Sequence, residues 1–421
     1  MIKNVVKVYF GDSLSNVLAV ISMVILIRNL GVSDYSTYTT FSSMMSLIAG
    51  VIGGGINNSL VRFSAEYYSR YNRKPYDIYI TGLALEILII TVFAAFSLLF
   101  FDEINMFLFK GNIEKETLIL SSLSAFGIVL IQVKRSVFQS EERFSPYAAA
   151  LILRQISILL ILVFLTSIQL VQFKYVASTI ALVNVVLGVA LASTILQQNP
   201  IHSLKRIFPI RGNKEIKAFL NSTKWLIAYN ITIVGIAEMG TILLTRHANG
   251  IEIAKYGVAY RYYALTLLIL GSIHAVLLPR FSQVDLLDNR KQLRFVVNWI
   301  KISIWFGIPV LLFILFGKQA FVWVNGIQYA DSFPILCILL LGSWMSLILS
   351  PLVNVLFSRK QFQYLFSYSL IAFFLNIFGN SILIPSLGGV GAAIITVLSA
   401  LIVNFCALIK ILDRKNHVLG K

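Results

Sequence analysis

The sequence predicts an all-α integral membrane protein with twelve transmembrane helices in two six-helix halves. Three observations predict it: long apolar stretches along the whole chain, a one-sided distribution of basic residues, and a similarity between the halves. The 421 residues are 58% hydrophobic and 13% charged, with a mean hydropathy of +0.83. Because soluble domains carry about a quarter charged residues, this composition excludes an ordinary soluble protein.

The apolar stretches leave room only for short connections, since a span takes about 20 residues. A large catalytic domain outside the membrane is therefore excluded. The first stretch runs to Arg28 without a cleavage motif, which predicts a span rather than a signal peptide. The predicted spans are 14–28, 38–58, 78–101, 117–133, 147–168, 175–196, 224–244, 256–278, 302–316, 332–357, 364–384 and 389–409.

The basic residues predict the orientation of these spans. With the N-terminus inside, the cytoplasmic segments hold 25 of the 35 Lys and Arg residues, and the outer connections hold 7. This is the positive-inside distribution, so both termini are predicted to be cytoplasmic. The net charge of +17 is therefore a topology signal that favours membrane lipids, and not nucleic acid, as partners.

A proline-containing cytoplasmic connection divides the chain into two halves. We predict an N-terminal lobe at 1–200 with helices 1–6, a linker at 201–223, and a C-terminal lobe at 224–421 with helices 7–12. Shifted by 218 positions, Arg62-Phe63-Ser64 coincides with Arg280-Phe281-Ser282. Repeats with the same orientation are typical of transporters that move one half against the other.

Catalytic motifs are absent from the sequence. The four histidines are scattered, the two cysteines lie singly inside spans, and no phosphate-binding glycine-rich loop occurs. We therefore predict neither an enzyme nor a metal site nor a bound cofactor.

Four charged residues lie inside predicted spans, one acid and one base in each half. Glu86 and Arg154 lie about 10 Å in from the cytoplasmic side, whereas Glu238 and Arg261 lie nearer the outer side. A charge at the bilayer centre costs roughly 3 kcal/mol or more. Two interpretations stay open. The charges form structural pairs, or the arginines bind an anionic headgroup while an acid takes up a coupling ion.

Among the arginines, we favour Arg261 as the phosphate contact, because nothing else in its apolar span accounts for it. Arg28, Arg62 and Lys224 stand at helix ends, where they serve either as interface anchors or as further headgroup contacts. His274 is a further candidate for titration.

Small and aromatic residues supply two more candidate features. Tyr260 and Tyr263 lie at the outer end of span 8, where either an aromatic belt or sugar contact explains them. Span 2 contains several glycines, which permit either close packing or bending. These glycines are Gly50, Gly53, Gly54 and Gly55.

Three blocks of residues carry a family resemblance. The first comprises Ile27-Arg28-Asn29-Leu30-Gly31, Tyr35, Tyr38, Arg62-Phe63 and Ala65-Glu66. The second comprises Tyr256-Gly257-Val258-Ala259-Tyr260 and Leu278-Pro279-Arg280. The third, which is the most specific, comprises Asn376, Asn380, Ile384-Pro385, Gly388 and Gly391-Ala392-Ala393. Together they resemble the polysaccharide-transporter branch of the MOP superfamily, the Wzx-type O-antigen and capsule flippases.

The resemblance implies a V-shaped, MATE-like fold with a central cavity whose arginines bind phosphates. It implies transfer of an undecaprenyl-diphosphate-linked oligosaccharide, an O-antigen or capsule repeat unit, between leaflets of the bacterial inner membrane. Transport would proceed by alternating access, with a proton or sodium gradient as energy source and other glycan-assembly proteins as further partners.

Two alternatives belong to other classes. A MATE-like multidrug or cation antiporter would favour an acidic cavity, whereas the charges inside these spans are balanced or slightly basic. An integral-membrane glycan transferase or polymerase would need an essential acid or histidine in an outer loop, and the short outer loops offer no good candidate.

Overall fold

The computed structural model describes residues 2–71, 74–197, 214–283, 289–358 and 361–412, and within these ranges the chain forms helices and no strand. Lipid offers no hydrogen-bond partners, so a spanning chain must satisfy its backbone internally, as a helix does. The helices are α1 Ile2–Asn29, α2 Val32–Tyr71, α3 Tyr76–Leu99, α4 Phe101–Ile104, α5 Lys115–Ser140, α6 Phe144–Ser167, α7 Phe173–Gln197, α8 Lys214–His247, α9 Gly250–Gln283, α10 Asn289–Trp305, α11 Gly307–Phe316, α12 Lys318–Asn325, α13 Ser332–Ser358 and α14 Phe362–Leu412. A π-helical turn follows α4, and a 3-10 turn follows α12.

The predicted all-α membrane fold is confirmed. In the described residues, ten stretches are long and apolar enough to cross a membrane. The longest, Phe362–Ile411, contains both of the last two predicted spans, and the eighth predicted span lies within α9. The multi-pass organisation therefore follows from hydropathy alone.

The chain divides into two compact units, Met1–Glu238 and Met239–Lys421. The boundary falls inside α8, so the first part of that helix belongs to the N-terminal unit. The lobe division made from the sequence stays a prediction, because much of its 201–223 linker lies outside the described residues.

Helix α5 is the centre of the N-terminal unit. It packs against α2, α3, α6 and α7, and α1 packs against α6. At the α5–α7 contact, a Cβ on Gly188 would lie 2.5 Å from the carbonyl oxygen of Gly127, so the two backbones touch. Close approach through small residues is the usual way membrane helices gain packing energy.

The glycines of α2 serve the same purpose against α8. A Cβ on Gly50 would lie 2.9 Å from a methyl of Val234, and one on Gly55 would lie 2.5 Å from Cα of Ile227. The side-chain amide of Asn230 donates to the carbonyl of Gly50. Close helix packing therefore accounts for these positions.

In the C-terminal unit, α13 packs against both α9 and α14. Helix α14 is interrupted at Gly388, with φ 54° and ψ −132°, and folds back on itself. Across the two arms, Asn376 Nδ2 donates to Ser399 Oγ at 3.0 Å. The last two predicted spans are thus the antiparallel arms of one hairpin.

A carboxylate of α9 stabilises the turn of this hairpin. Glu252 Oε2 accepts a hydrogen bond from the backbone N–H of Gly389 at 3.1 Å. Its neighbour Lys255 contacts Glu252 at 3.3 Å and Asp331 at 2.9 Å, which links α9 to the start of α13. The hydrogen bond from Lys255 lowers the pKa of the exposed Asp331 carboxyl.

We expect Gly388→Ala to destabilise the protein by about 1–3 kcal/mol, the cost of a backbone conformation that residues with a Cβ rarely adopt. The added Cβ would also lie 2.5 Å from Glu252 Oε2. Gly31→Ala is the matched control, because a Cβ there meets nothing within 4 Å. Thermal unfolding of the two purified variants in detergent measures the difference. Equal melting temperatures would contradict the assigned strain.

Candidate functional site

Two ionisable side chains lie at matching depth in the N-terminal unit. Glu86 in α3 and Arg154 in α6 each lie ten residues beyond the helix start, or about 15 Å along the axis. Both helices begin on the predicted cytoplasmic side. Since the hydrocarbon core is about 30 Å thick, both residues lie near its middle.

Arg154 is held by a chain of buried polar groups. Its Nε donates to Asn184 Oδ1 at 2.6 Å, and Asn184 Nδ2 donates to Ser124 Oγ at 2.7 Å. Ser124 Oγ in turn contacts the sulfur of Met45 at 2.8 Å. Asn184 and Ser124 are fully buried. The chain runs from α6 through α7 and α5 to α2 and fixes the orientation of the guanidinium.

The other face of this guanidinium is uncommitted. Arg154 is only partly buried, and in the described part of the chain its Nη groups bind no acceptor. A guanidinium anchored through Nε presents two N–H donors side by side, the geometry that matches a phosphate or carboxylate. This residue could therefore bind an anion.

Glu86 is buried in a different environment. Its side chain is 0% exposed, and neither carboxyl oxygen has a hydrogen-bond partner among the residues that the structure describes. Leu83 and Ile90, one turn away on either side, belong to apolar clusters formed with α2 and α5. The structure thus does not pair Glu86 with Arg154. An ionised carboxylate in such a place is costly, which favours its neutral form.

Glu238 lies near the outer end of α8 and is 8% exposed. Its Oε2 accepts a hydrogen bond from Ser43 Oγ of α2 at 2.7 Å. This contact belongs to the same α2–α8 packing that the glycines permit. Glu238 therefore has a structural bond that Glu86 lacks.

Arg28, Arg62 and Lys224, which we predicted at helix ends, are all exposed. Arg28 does lie at the end of α1. The prediction is wrong for the other two: Arg62 lies nine residues before the end of α2, and Lys224 lies ten residues after the start of α8, because both helices continue beyond their apolar stretches. Arg62 lies 5.9 Å from the ring centre of Phe63, and Lys224 lies 5.9 Å from that of Trp225. Pairing an exposed cation with an adjacent ring is typical of interface anchoring.

In the C-terminal unit, Arg261 lies eleven residues into α9 and is partly buried. The tyrosines beside it differ in exposure: Tyr263 is 5% exposed, whereas Tyr260 is partly exposed and stacks on Tyr256 at 5.6 Å. Only Tyr260 of the two predicted sugar contacts thus has substantial open surface. The side chain of His274 lies outside the described residues.

Residues that the sequence did not single out complete the polar interior. Asn184 orients Arg154, yet one asparagine in an apolar helix gives no distinctive pattern. Arg135 bonds Asp12 and the carbonyl of Tyr147, both at 3.2 Å, and so ties α1, α5 and α6 together. Its guanidinium also lies 4.0 Å from the Tyr147 ring centre. In the described chain, no group of three or more His, Cys, Asp or Glu could hold a metal ion.

Charged groups inside a bundle of long apolar helices are costly to keep, so the guanidinium and carboxyls described above mark a candidate functional site. Solved structures of other proteins have the same fold. One titled as the lipid II flippase MurJ in an inward closed conformation aligns with a TM-score of 0.72, at 17% identity, over 96% of this chain and 87% of that one. The fold is that of the MOP-superfamily transporters.

Two further structures carry the same fold. They are the inward- and outward-facing conformations of a multidrug resistance MATE family transporter of that superfamily. The inward-facing one has a TM-score of 0.68 and 15% identity, covering 94% of each chain. The outward-facing one has a TM-score of 0.66 and 14% identity, covering 97% of this chain and 94% of that one.

The sequence identifies the family. The model of the polysaccharide biosynthesis protein family matches residues 1–285, and the chain belongs to that family. No curated protein matches the sequence. The match covers the first two residue blocks and confirms the family resemblance, whereas the third block lies beyond the matched residues.

Proposed function

We propose that this protein transfers an undecaprenyl-diphosphate-linked oligosaccharide, an O-antigen or capsule repeat unit, from the inner to the outer leaflet of the bacterial inner membrane. The carrying observation is Arg154, a guanidinium near mid-membrane whose Nε is bonded and whose Nη groups are uncommitted. Family membership and the fold of a lipid II flippase support a lipid-linked substrate.

The anchored guanidinium suits a diphosphate for an electrostatic reason. A charge-assisted, two-pronged bond is among the strongest that a side chain makes. At this depth it would hold the headgroup away from both surfaces. Arg261 is the corresponding candidate in the C-terminal unit, and the exposed Arg28, Arg62 and Lys224 would attract headgroups at the membrane surface. Tyr260 is the candidate for sugar contact.

Transport against a gradient needs a second binding event that favours one conformation. Glu86 is our candidate, because a carboxyl with no partner can gain or lose a proton without breaking a protein bond. A hard metal cation would need several oxygen ligands, so this site favours a proton. Glu238 is the alternative acid. The free energy of protonating this acid would differ between the inward-facing and outward-facing conformations, and that difference would shift the equilibrium between them.

The test is the leaflet distribution of the lipid-linked glycan. In a strain lacking the gene, the glycan should accumulate in the inner leaflet and resist a membrane-impermeant reagent, and the wild-type gene should restore labelling. Drug sensitivity with normal surface glycan would instead indicate an antiporter, and would refute the proposal.

The support of Arg154 by Asn184 can be tested separately. Asn184→Ala removes the oxygen that accepts the hydrogen bond of Arg154 Nε. It also removes the N–H that donates to Ser124 Oγ. We expect a loss of about 1–3 kcal/mol in stability and a partial loss of transfer. Asn404→Ala is the control, because that amide bonds only its own helix, at Ala400. Equal transfer by the two variants would contradict a positioning role for Asn184.

A further inference from the structure

Lys134 is a buried cation near the predicted cytoplasmic end of its helix. It lies in α5 and is 3% exposed. In the described chain it makes no ion pair or hydrogen bond, and its Nζ faces the ring of Phe138 at 4.8 Å from the centre. Burying a charge without pairing it is costly. The positive charge of the Lys134 ammonium is therefore not balanced by a bonded acid in the described chain.

The surroundings of Lys134 are basic as well. Arg143 lies 5.3 Å from the centre of the same Phe138 ring. Lys74 and Arg143 share one carboxylate, that of Glu141, at 2.9 Å and 3.6 Å. Glu141 is thus already committed to two cations, and Lys134 is a third positive charge beside it.

The other nearby acid does not remove this excess. Glu142 is exposed, and in the described part of the chain it forms no ion pair. Lys134, Arg143 and Lys74, with Glu141, form what we call the basic cluster. It joins the α2–α3 and α5–α6 connections, which are predicted to be cytoplasmic.

The depth of the cluster matches that of lipid phosphates. Lys134 lies six residues before the end of α5, or about 9 Å along the axis. Helix α5 has 26 residues and spans about 39 Å, so it extends beyond a hydrocarbon core of about 30 Å. Lys134 therefore starts just inside the hydrocarbon boundary. Its Nζ lies beside Phe138, four residues nearer the end of the helix, so the ammonium is directed towards the headgroup layer.

We propose that the basic cluster binds the phosphate group of an anionic membrane lipid on the cytoplasmic side. A phosphodiester carries one negative charge, and its free oxygens accept bonds from both the ammonium of Lys134 and the guanidinium of Arg143. Free phosphate offers the same chemistry. The site is separate from Arg154, which lies deeper, and it does not depend on the transport proposal.

The experiment measures thermal unfolding of the full-length protein in a neutral detergent. Phosphatidylglycerol, phosphatidylcholine and inorganic phosphate are each added. We expect phosphatidylglycerol alone to raise the melting temperature, and Lys134→Met and Arg143→Gln to abolish that rise. Lys174→Met is the matched control, because Lys174 is 66% exposed, pairs with Glu116 and lies at the opposite end of the unit. It should retain the full rise.

Lys134→Met should itself melt at the same temperature as the wild type or above it, because methionine keeps the packed stem and removes the uncompensated charge. A rise with inorganic phosphate that Lys134→Met abolishes would support the phosphate site and assign it to a soluble anion. A rise with phosphatidylglycerol that survives in both Lys134→Met and Arg143→Gln would overturn the proposal. Should Lys134→Met fail to fold, Arg143→Gln decides, since its side chain is 52% exposed.

Discussion

Replacing Arg154 with glutamine should reduce transfer of the lipid-linked glycan at least tenfold while the protein still inserts and folds. Glutamine keeps an N–H donor for Asn184 but removes the charge and the paired Nη donors that a diphosphate requires. A hydrogen bond to a charged group contributes about 1.5–3 kcal/mol, which corresponds to roughly a tenfold to hundredfold loss of affinity. Outer-leaflet labelling of the glycan measures this effect.

Arg154→Lys separates charge from geometry. Lysine retains the positive charge but replaces the planar fork with a point charge, so we expect intermediate transfer. Lys174→Gln, which removes a surface cation, should transfer normally. Wild-type labelling by Arg154→Gln at equal protein abundance would exclude Arg154 from substrate binding.

Replacing Glu86 with glutamine should uncouple transport from the proton gradient. Glutamine imitates the neutral carboxyl in shape but cannot release a proton. Because Glu86 makes no hydrogen bond within the described part of the chain, the substitution breaks no known hydrogen bond, and the melting temperature should be unchanged. Glu86→Leu, which suits the apolar surroundings, should be as stable or more so. Proton flux into proteoliposomes, measured with a trapped pH dye after substrate is added, should disappear in both.

A purely structural Glu86 would give a different pattern. Its replacement would then change stability and leave gradient dependence intact. Glu238→Leu provides the comparison with Glu86→Leu, since Glu238 accepts a bond from Ser43 and leucine removes that acceptor, which should lower stability. Normal substrate-driven proton flux in Glu86→Gln would rule out Glu86 as the coupling residue.

The depth of each buried charge follows from sequence, but the direction in which it faces does not. Rise per residue is fixed in a helix, so Glu86 and Arg154 were expected at matching depth, and they lie there. Their rotation about the helix axis depends on how the helices pack. Glu86 lies among the apolar clusters of α2 and α5, whereas Arg154 binds Asn184 of α7. The structural pair that one of the two interpretations required therefore does not form between Glu86 and Arg154.

The ends of the helices are a second point on which the structure differs from the sequence prediction. Hydropathy ends the fourth span at residue 133, so the sequence places Lys134 in the connection that follows. In the structure, α5 continues to Ser140 and includes Lys134. Backbone hydrogen bonding continues beyond the apolar stretch, and Lys134 is buried by neighbouring helices that a hydropathy profile does not describe. In contrast, the break between the last two spans was predicted correctly, because proline and glycine interrupt the apolar run at Pro385 and Gly388.

The fold-back at Gly388 has a consequence for how the protein is made. The two arms of α14 are joined by a turn held by a single carboxylate, with no polar loop to carry across the lipid. Asn376 of one arm bonds Ser399 of the other, and also accepts a bond from Asn380 at 2.9 Å. Each arm alone would expose these groups to hydrocarbon. The final two crossings should therefore leave the insertion machinery together, as one preassembled hairpin.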